Sequence, residues 1–594
     1  MRRLPIAALV AATFLATAAG ASGGHGIFDH PSAGYAPSVP PSPAFQSGGT
    51  GASWELVTTI PTGNPHTDLD FFTQNGEIYA SAGTLAAGAN DAGQTIVRLT
   101  QNGIVNPLSP QFVAGHPSAE CPSNPAAALG LQHDVEATPK GNVPLNTTYS
   151  FASQGNAQLL LDASDQRGRC HDNGTLGLIA PPRGGLEIID ITDINNPVEI
   201  GLVSHIGEAH TVNVDPKRPH IAYAVTSDAV GVEKQPDGSY KRLNEVPGSG
   251  DRFDLDGFEV VDLSTCMNFP VGTTIAQKRA QCRPTVYRYR YPSTEIALGH
   301  TLQTTVYGCH ELEVYPNDRL TCGSGAAAIV FDMSRAFDSR GRPRGTPLPC
   351  RMRPSTSAAP YGTGALVTDC VDGENAQNLD VPSWLAIGAP SLSGVRHVGT
   401  AHHMGRGAGG TITTYDSTQD VDFDHELEYT RSRRFLLATD ERGGGVSPPG
   451  ATCASVVDNK QGNGGVHAYA VSRLDTSLPA TAEEAWDAYA RTPSGAKAIY
   501  RALPRTGVEP SVCTAHVFHQ IPGQNRIFMG WYSQGTQVVD LKGAALYPGF
   551  TDEQLKQAGE NLERYVALVL RIFERISSEA QEHSNHQVLD SSRE

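Results

Sequence analysis

Residues Gly184–Thr192 read GGLEIIDIT, and the same phrase returns as DGFEVVDLS at Asp256–Ser264, AAAIVFDMS at Ala326–Ser334 and QGTQVVDLK at Gln534–Lys542. Each copy is a small residue, an apolar β-type run and an Asp placed to turn the chain. Weaker copies are QTIVRLT at Gln94–Thr100 and GGVHAYAVS at Gly464–Ser472. Their starts lie 90, 72, 70, 138 and 70 residues apart. Recurrence at one period marks a repeat architecture. The interval of 138 holds either a seventh, degenerate unit or one long insertion. The loop-like stretch 341–410, with Cys350 and Cys370, favours an insertion.

Upstream of each copy lies a segment that begins with histidine. His133 opens HDVEA, His210 opens HTVNV, His310 opens HELEV, His425 opens HELEY, His516 opens HVFHQ, and His66 opens the looser HTDLDFF. A second apolar run, such as LLLDAS after His133 or FLLATDE after His425, separates the histidine segment from the repeated phrase. A fourth, such as PVEIGLVS or TVYRYRYP, follows it. Four short strands in fixed order make a blade, so the expected fold is an all-β β-propeller with six blades recognisable and room for a seventh. The last unit lacks a clear fourth strand, and WELVTTI (Trp54–Ile60) lacks its first three. Together they would complete one blade and close the ring, which removes exposed sheet edges.

The blocks GGLEIIDITDINNPVEIG, CHELEVYP, FLLATDERGGG and CTAHVFHQIPGQNRIFMGWYSQGTQVVDL resemble the LVIVD-repeat family of exported β-propellers. The resemblance covers most of Trp54–Leu546. It implies the propeller fold and export, and little about activity. A more distant likeness is to selenium-binding and methanethiol-oxidase propellers, whose axial histidines hold copper. That likeness has no long motif behind it and is analogy alone.

The remaining segments read differently. Residues 1–21, with Arg2, Arg3, an apolar run and small residues, read as a secretory signal. Residues 22–53 are a flexible leader rich in Pro, Ser and Gly. The propeller is expected over 54–546. Residues 551–581 carry Leu555, Leu562, Val566, Val569, Phe573 and Ile576 at helical spacing after Thr551, a suitable N-cap. This amphipathic helix packs on the propeller or pairs with a second copy. Residues 582–594 read as a disordered tail. No apolar run approaches the ~20 residues of a membrane span. The expected location is therefore secreted, extracellular or periplasmic.

The formal charge is −17, and loss of the signal's two arginines makes it more negative. Such a chain repels phosphate backbones, which excludes nucleic acid as a partner. It suits cation attraction and solubility. The 10 cysteines suit an exported, disulfide-bonded chain. Cys266–Cys282 and Cys309–Cys322 are close enough in sequence to pair naturally.

Strand alternation puts His310 on the face of Leu312 and Val314, with Glu311 and Glu313 opposite. That favours a structural imidazole buried between blades. The first strands of all blades nevertheless surround one axis. There His66, His133, His210, His310, His425 and His516 could meet as ligands of zinc or copper, with His300, His402 and His403 in reserve. In DSTQDVDFDHELEY (Asp416–Tyr429), Asp420, Asp422, Asp424, Glu426 and Glu428 share one face, which suggests a solvated edge or a calcium site. GDRFDLDGFE (Gly250–Glu259) resembles a calcium loop without the full spacing.

There is no H-E-x-x-H, G-x-S-x-G or P-loop. Three functions stay open on the sequence. The first is an exported binding scaffold with a histidine- and carboxylate-rich axial metal site. The second is a copper-dependent oxidoreductase acting on a small substrate. The third is an extracellular protein-interaction module without chemistry. The partner is accordingly a small molecule or an extracellular protein.

Overall fold

In the computed structural model, the described residues are 66–84, 93–101, 104–105, 111–117, 132–139, 157–164, 185–204, 210–225, 229–242, 256–297, 305–325, 327–348, 350–354, 366–369, 391–402, 424–441, 466–480, 498–500, 515–520, 526–531 and 535–541. The signal, leader, Trp54–Ile60 strand, C-terminal helix and tail lie outside them. The chain divides into two units. The first runs to His519 and includes Met529–Gln537, and the second comprises Gln520–Phe528 and the residues from Val538 onward.

Four-stranded antiparallel meanders follow one another along the first unit. His66–Gln74, Glu77–Thr84, Gly93–Arg98 and Gln111–Pro117 make the first sheet. Gln132–Ala137, Leu159–Ser164, Gly185–Asp190 and Val198–Ser204 make the second. The third is Thr211–Val214, Ile221–Val225, Gly257–Asp262 and Thr285–Arg290, and the fourth is Glu311–Tyr315, Arg319–Gly323, Ala327–Asp332 and Arg396–His402. The fifth is Asp424–Tyr429, Phe435–Asp440, Val466–Ala470 and Ala498–Tyr500. Three strands follow, Ala515–Gln520, Arg526–Trp531 and Gly535–Asp540.

Within 341–410 lies a hairpin, Arg351–Pro354 with Leu366–Asp369, whose second strand pairs in parallel with Val198–Ser204 and extends the second sheet. The same stretch also supplies Arg396–His402, the fourth strand of the fourth sheet.

The repeated phrase is the third strand of its sheet. In GLEIID, GFEVVD and AAIVFD every residue is buried. Alternation explains why, because each third strand serves two cores. Phe258 and Val260 pack with Ile329 and Phe331 of the next sheet, while Val261 packs with Leu186 and Ile188 of the preceding one. Ile189 packs with Val135, Phe72 and Ile96, and Ala328 and Val330 pack with Leu427 and Leu436. Sheets stacked face to face in chain order, with their first strands side by side, are the blades of a β-propeller. The Asp closing each phrase turns the chain as expected. Asp190, Asp262 and Asp332 each accept the backbone N–H two residues on, from Thr192, Ser264 and Ser334.

Two disulfides join pairs of described cysteines, Cys266–Cys282 and Cys309–Cys322, and Cys350 is also disulfide-bonded. Among the described residues no helix is long and apolar enough to cross a membrane.

Candidate metal centre

The first strand of each sheet is an edge strand, so one row of its backbone groups has no ladder partner. The acids after the histidines answer that need. Asp134 Oδ2 accepts the N–H of Val212 in the third sheet (2.6 Å), and Glu426 accepts that of Phe518. Both acids follow the histidine by one place, and both acceptances fall two places after the next histidine. Asp70 Oδ2 accepts Ala137 N–H (2.8 Å), and Thr211 Oγ1 donates to His310 O (3.1 Å). The polar positions thus stitch each first strand to the next.

Simple alternation would separate the histidines from these acids, but the structure does not. A β-bulge lies at the histidine. His210 N–H donates to Val225 O while Thr211 is the cross-strand partner of Val225, and His310 N–H donates to Gly323 O while Glu311 is the partner of Gly323. Register slips between His66 and Leu69, between Gln132 and Asp134, and between Asp424 and Leu427 mark the same place in three other sheets. A bulge re-aims the side chain beside it. Leu312 and Val314 stay in the core between sheets. His310 leaves them and meets other histidines, so the expected placement of histidine with the apolar residues is corrected.

Four imidazoles meet in strand order. Ring centroids are 4.3 Å apart for His210 and His310, 4.4 Å for His310 and His425, and 4.2 Å for His425 and His516. The Nε2 atoms of His210 and His310 are 3.2 Å apart. Glu441 lies among them. Its Oε2 is 3.7 Å from His310 Nε2 and 3.9 Å from His425 Nε2, and its Oε1 is 3.6 Å from His516 Nε2. Two imidazole nitrogens on one tetrahedral ion at 2.0–2.1 Å bonds stand about 3.3 Å apart, so the His210–His310 spacing suits zinc or copper. The residues form two overlapping triads, His210/His310/His425 and His425/Glu441/His516, each bringing one ligand atom per residue within 4.8 Å of one another. Burial holds His210 neutral, its pKa pushed down to about 3. Neutral imidazole is the form that binds metal.

A second tier uses the other polar positions of the same strands: Asp68, Asp70, Asp134, Glu136, Glu311, Glu313, Glu426 and Glu428, joined by His519. Glu426, Glu428 and His519 bring one ligand atom each within 4.8 Å of one another. Desolvation first, then neighbouring carboxylates, raises Glu136 and Glu426 well above the usual carboxylate range and Glu313 to about 8. Desolvation likewise takes Asp70 to about 6. His519 is held up to about 9, chiefly by Glu428 against the opposing pull of desolvation. His519 is therefore placed as a counter-cation to these acids. The tiers also differ in access. The His519 side chain is 72% exposed, whereas those of His425 and Glu441 are 0% exposed.

Of the six histidines expected at the centre, the structure brings together His210, His310, His425 and His516. His66 and His133 occupy the same place on the first strands of the first two sheets, and their side chains lie outside the described residues, as do His300, His403 and the side chain of His402. Asp424, Glu426 and Glu428 are buried rather than on the solvated edge that alternation suggested. Asp256, in the stretch resembling a calcium loop, is buried against Arg242 and Arg290. Glu441 escaped the sequence reading. Its one signal is an acid pair, Asp440–Glu441, ending an apolar strand opposite the start of the His425 strand.

No family model and no curated protein matches the chain. Among solved structures, a β-propeller domain from Myceliophteria thermophila is 10% identical, covers 82% of this chain and 100% of that one, and has a TM-score of 0.30. The PQQ domain of pyranose dehydrogenase from Coprinopsis cinerea is 11% identical, with coverage of 80% and 91% and a TM-score of 0.30. A polycomb repressive complex 2 chain from Chaetomium thermophilum is 10% identical, with coverage of 79% and 92% and a TM-score of 0.29. Likeness at this level says nothing about ligand or activity.

Proposed function

We propose that this protein is an exported β-propeller of the LVIVD-repeat type, with at least six blades, and that it holds one transition-metal ion. His210, His310, His425 and His516 are the proposed ligands, with Glu441 as the carboxylate. The observation that carries the proposal is a row of four neighbouring imidazoles, three of which, His310, His425 and His516, lie 3.6–3.9 Å from the fully buried Glu441 carboxylate. An ionised carboxylate is costly to bury away from positive charge, and a divalent ion would supply that charge. Zinc or copper bound there would act as a Lewis acid or, for copper, as a redox centre. The chain's own part is to orient the imidazoles and, at His210, to hold the ring neutral by burial.

Export is supported by the N-terminal sequence and by the two disulfides. The carboxylate tier suits cations and disfavours anions.

The test is elemental analysis of full-length protein purified without chelator or affinity tag, beside a His310→Ala/His425→Ala variant. The expected result is about one zinc or copper per chain, lost in a variant that remains folded. Folded wild-type protein without metal, or a variant that keeps it, would overturn the proposal. Copper with a reversible colour change would make redox assays on small substrates the next step.

A further inference from the structure

Cys309 immediately precedes His310, and Cys322 immediately precedes Gly323 on the neighbouring strand. Both cysteines are fully buried, and the disulfide joins them beside the histidine cluster. The Tyr291 hydroxyl lies 3.5 Å from Cys309 Sγ and 3.2 Å from Cys322 Sγ. The backbone on either side is also fixed, since Cys309 N–H donates to Gly257 O (3.0 Å) and His310 N–H to Gly323 O (2.7 Å).

Gly323 faces the next histidine as well. A Cβ at this position would stand 2.2 Å from His425 O and 3.2 Å from Asp424 O. Both are backbone atoms, so a side chain here would displace the His425 strand. Cys322–Gly323 therefore bears on both central histidines: Cys322 is bonded to Cys309, the residue before His310, Gly323 O accepts the His310 N–H, and Gly323 lies against the His425 backbone.

We infer that the corner made by the Cys309–Cys322 disulfide and Gly323 is a positioning element that sets the spacing of His310 and His425, an inference that rests on the metal-binding proposal above. Cys266–Cys282 supplies an internal control. It closes a loop of similar length, a sequence separation of 16 against 13, and neither of its cysteines lies on a histidine-bearing strand. Loop-closure entropy is therefore similar for the two, and removing either should lower stability comparably. Only one should disturb the metal.

The experiment titrates Co2+ into metal-free, full-length protein and reads affinity and the visible d–d band. Wild-type protein, Cys309→Ser/Cys322→Ser and Cys266→Ser/Cys282→Ser are compared, with Gly323→Ala as a variant that keeps both disulfides. Loss of a supporting contact around a metal ligand weakens binding by roughly 10- to 100-fold. That loss, with an altered band, is expected for Cys309→Ser/Cys322→Ser and for Gly323→Ala, while Cys266→Ser/Cys282→Ser keeps wild-type affinity and band. Wild-type affinity and band in Gly323→Ala, or in folded Cys309→Ser/Cys322→Ser, would overturn the positioning role alone. An equal loss in Cys266→Ser/Cys282→Ser would also overturn it. Wild-type protein that takes up no Co2+ would overturn the metal proposal and this inference together.

Discussion

Asp134 and Glu426 occupy equivalent places in the second and fifth sheets, and each accepts a backbone N–H from the following first strand. Removing the acceptor leaves a buried donor unpaired, which costs about 1–3 kcal/mol. Asp134→Ala should lose that much in chemical denaturation. Asp134→Asn should lose far less, because its amide oxygen can still accept from Val212. Equal losses would mean that the charge, not the acceptor, is what matters.

Glu313 carries a different consequence. It faces Glu428 and His519, and its pKa is raised from 4.5 to about 8. The His519 imidazole is raised from 6.5 to about 9. Both groups bind a proton more tightly folded than unfolded, so their contributions are intact at low pH and are lost as pH rises. The Glu313 contribution fades between about 4.5 and 8, and that of His519 between about 6.5 and 9. His210, held neutral by burial, acts with opposite sign only below 6.5. Thermal stability should therefore fall from pH 6.5 to 9. Glu313→Gln should melt higher than wild type at pH 8 and show a flatter profile, as scanning calorimetry would reveal. Solvent around the exposed His519 side chain reduces the size of its effect without changing its sign.

At the scale of single elements, the third strands were the easiest to read. Their unbroken apolar runs reflect burial on both faces between neighbouring sheets, and the Asp that ends each run makes the turn expected of it. The first strands were harder. Histidine followed by acid, apolar, acid and apolar looks like plain alternation, and alternation puts histidine with leucine. A bulge at the histidine reverses that assignment, yet hydrophobic pattern carries no sign of which residue is doubled, since the pairing partner sits on another strand. Glu441 was hidden for the same reason, because it becomes a neighbour of His310, His425 and His516 only once three strands are placed. The third and fourth sheets give a check on the stacking itself. Phe331 is fully buried, with Phe258, Tyr289 and Tyr291 at 5.8, 5.3 and 6.1 Å between ring centroids. Phe331→Ala should cost about 3–5 kcal/mol in denaturant unfolding. A loss under about 1 kcal/mol, the range of well-tolerated swaps, would argue against this contact between sheets.

For the molecule as a whole, repetition explains both the histidines and the acids. Each blade begins with a strand whose open edge must be satisfied, and at His210, His310 and His425 the residue at the bulge meets its neighbours. Repeating that strand builds a buried imidazole cluster beside a tier of carboxylates in a chain of formal charge −17. The blade order was legible in the recurrence of one phrase, and a meeting of histidines was one of two readings it allowed, whereas which ion would fit depends on distances that no spacing encodes. The most direct measurement is an anomalous difference map from crystals of the protein purified without chelator, collected at the zinc and copper edges. The account predicts one peak about 2.0–2.1 Å from Nε2 of His310 and of His425, with Glu441 beside it. No peak there, or a single peak beside Glu428 and His519 instead, would contradict it.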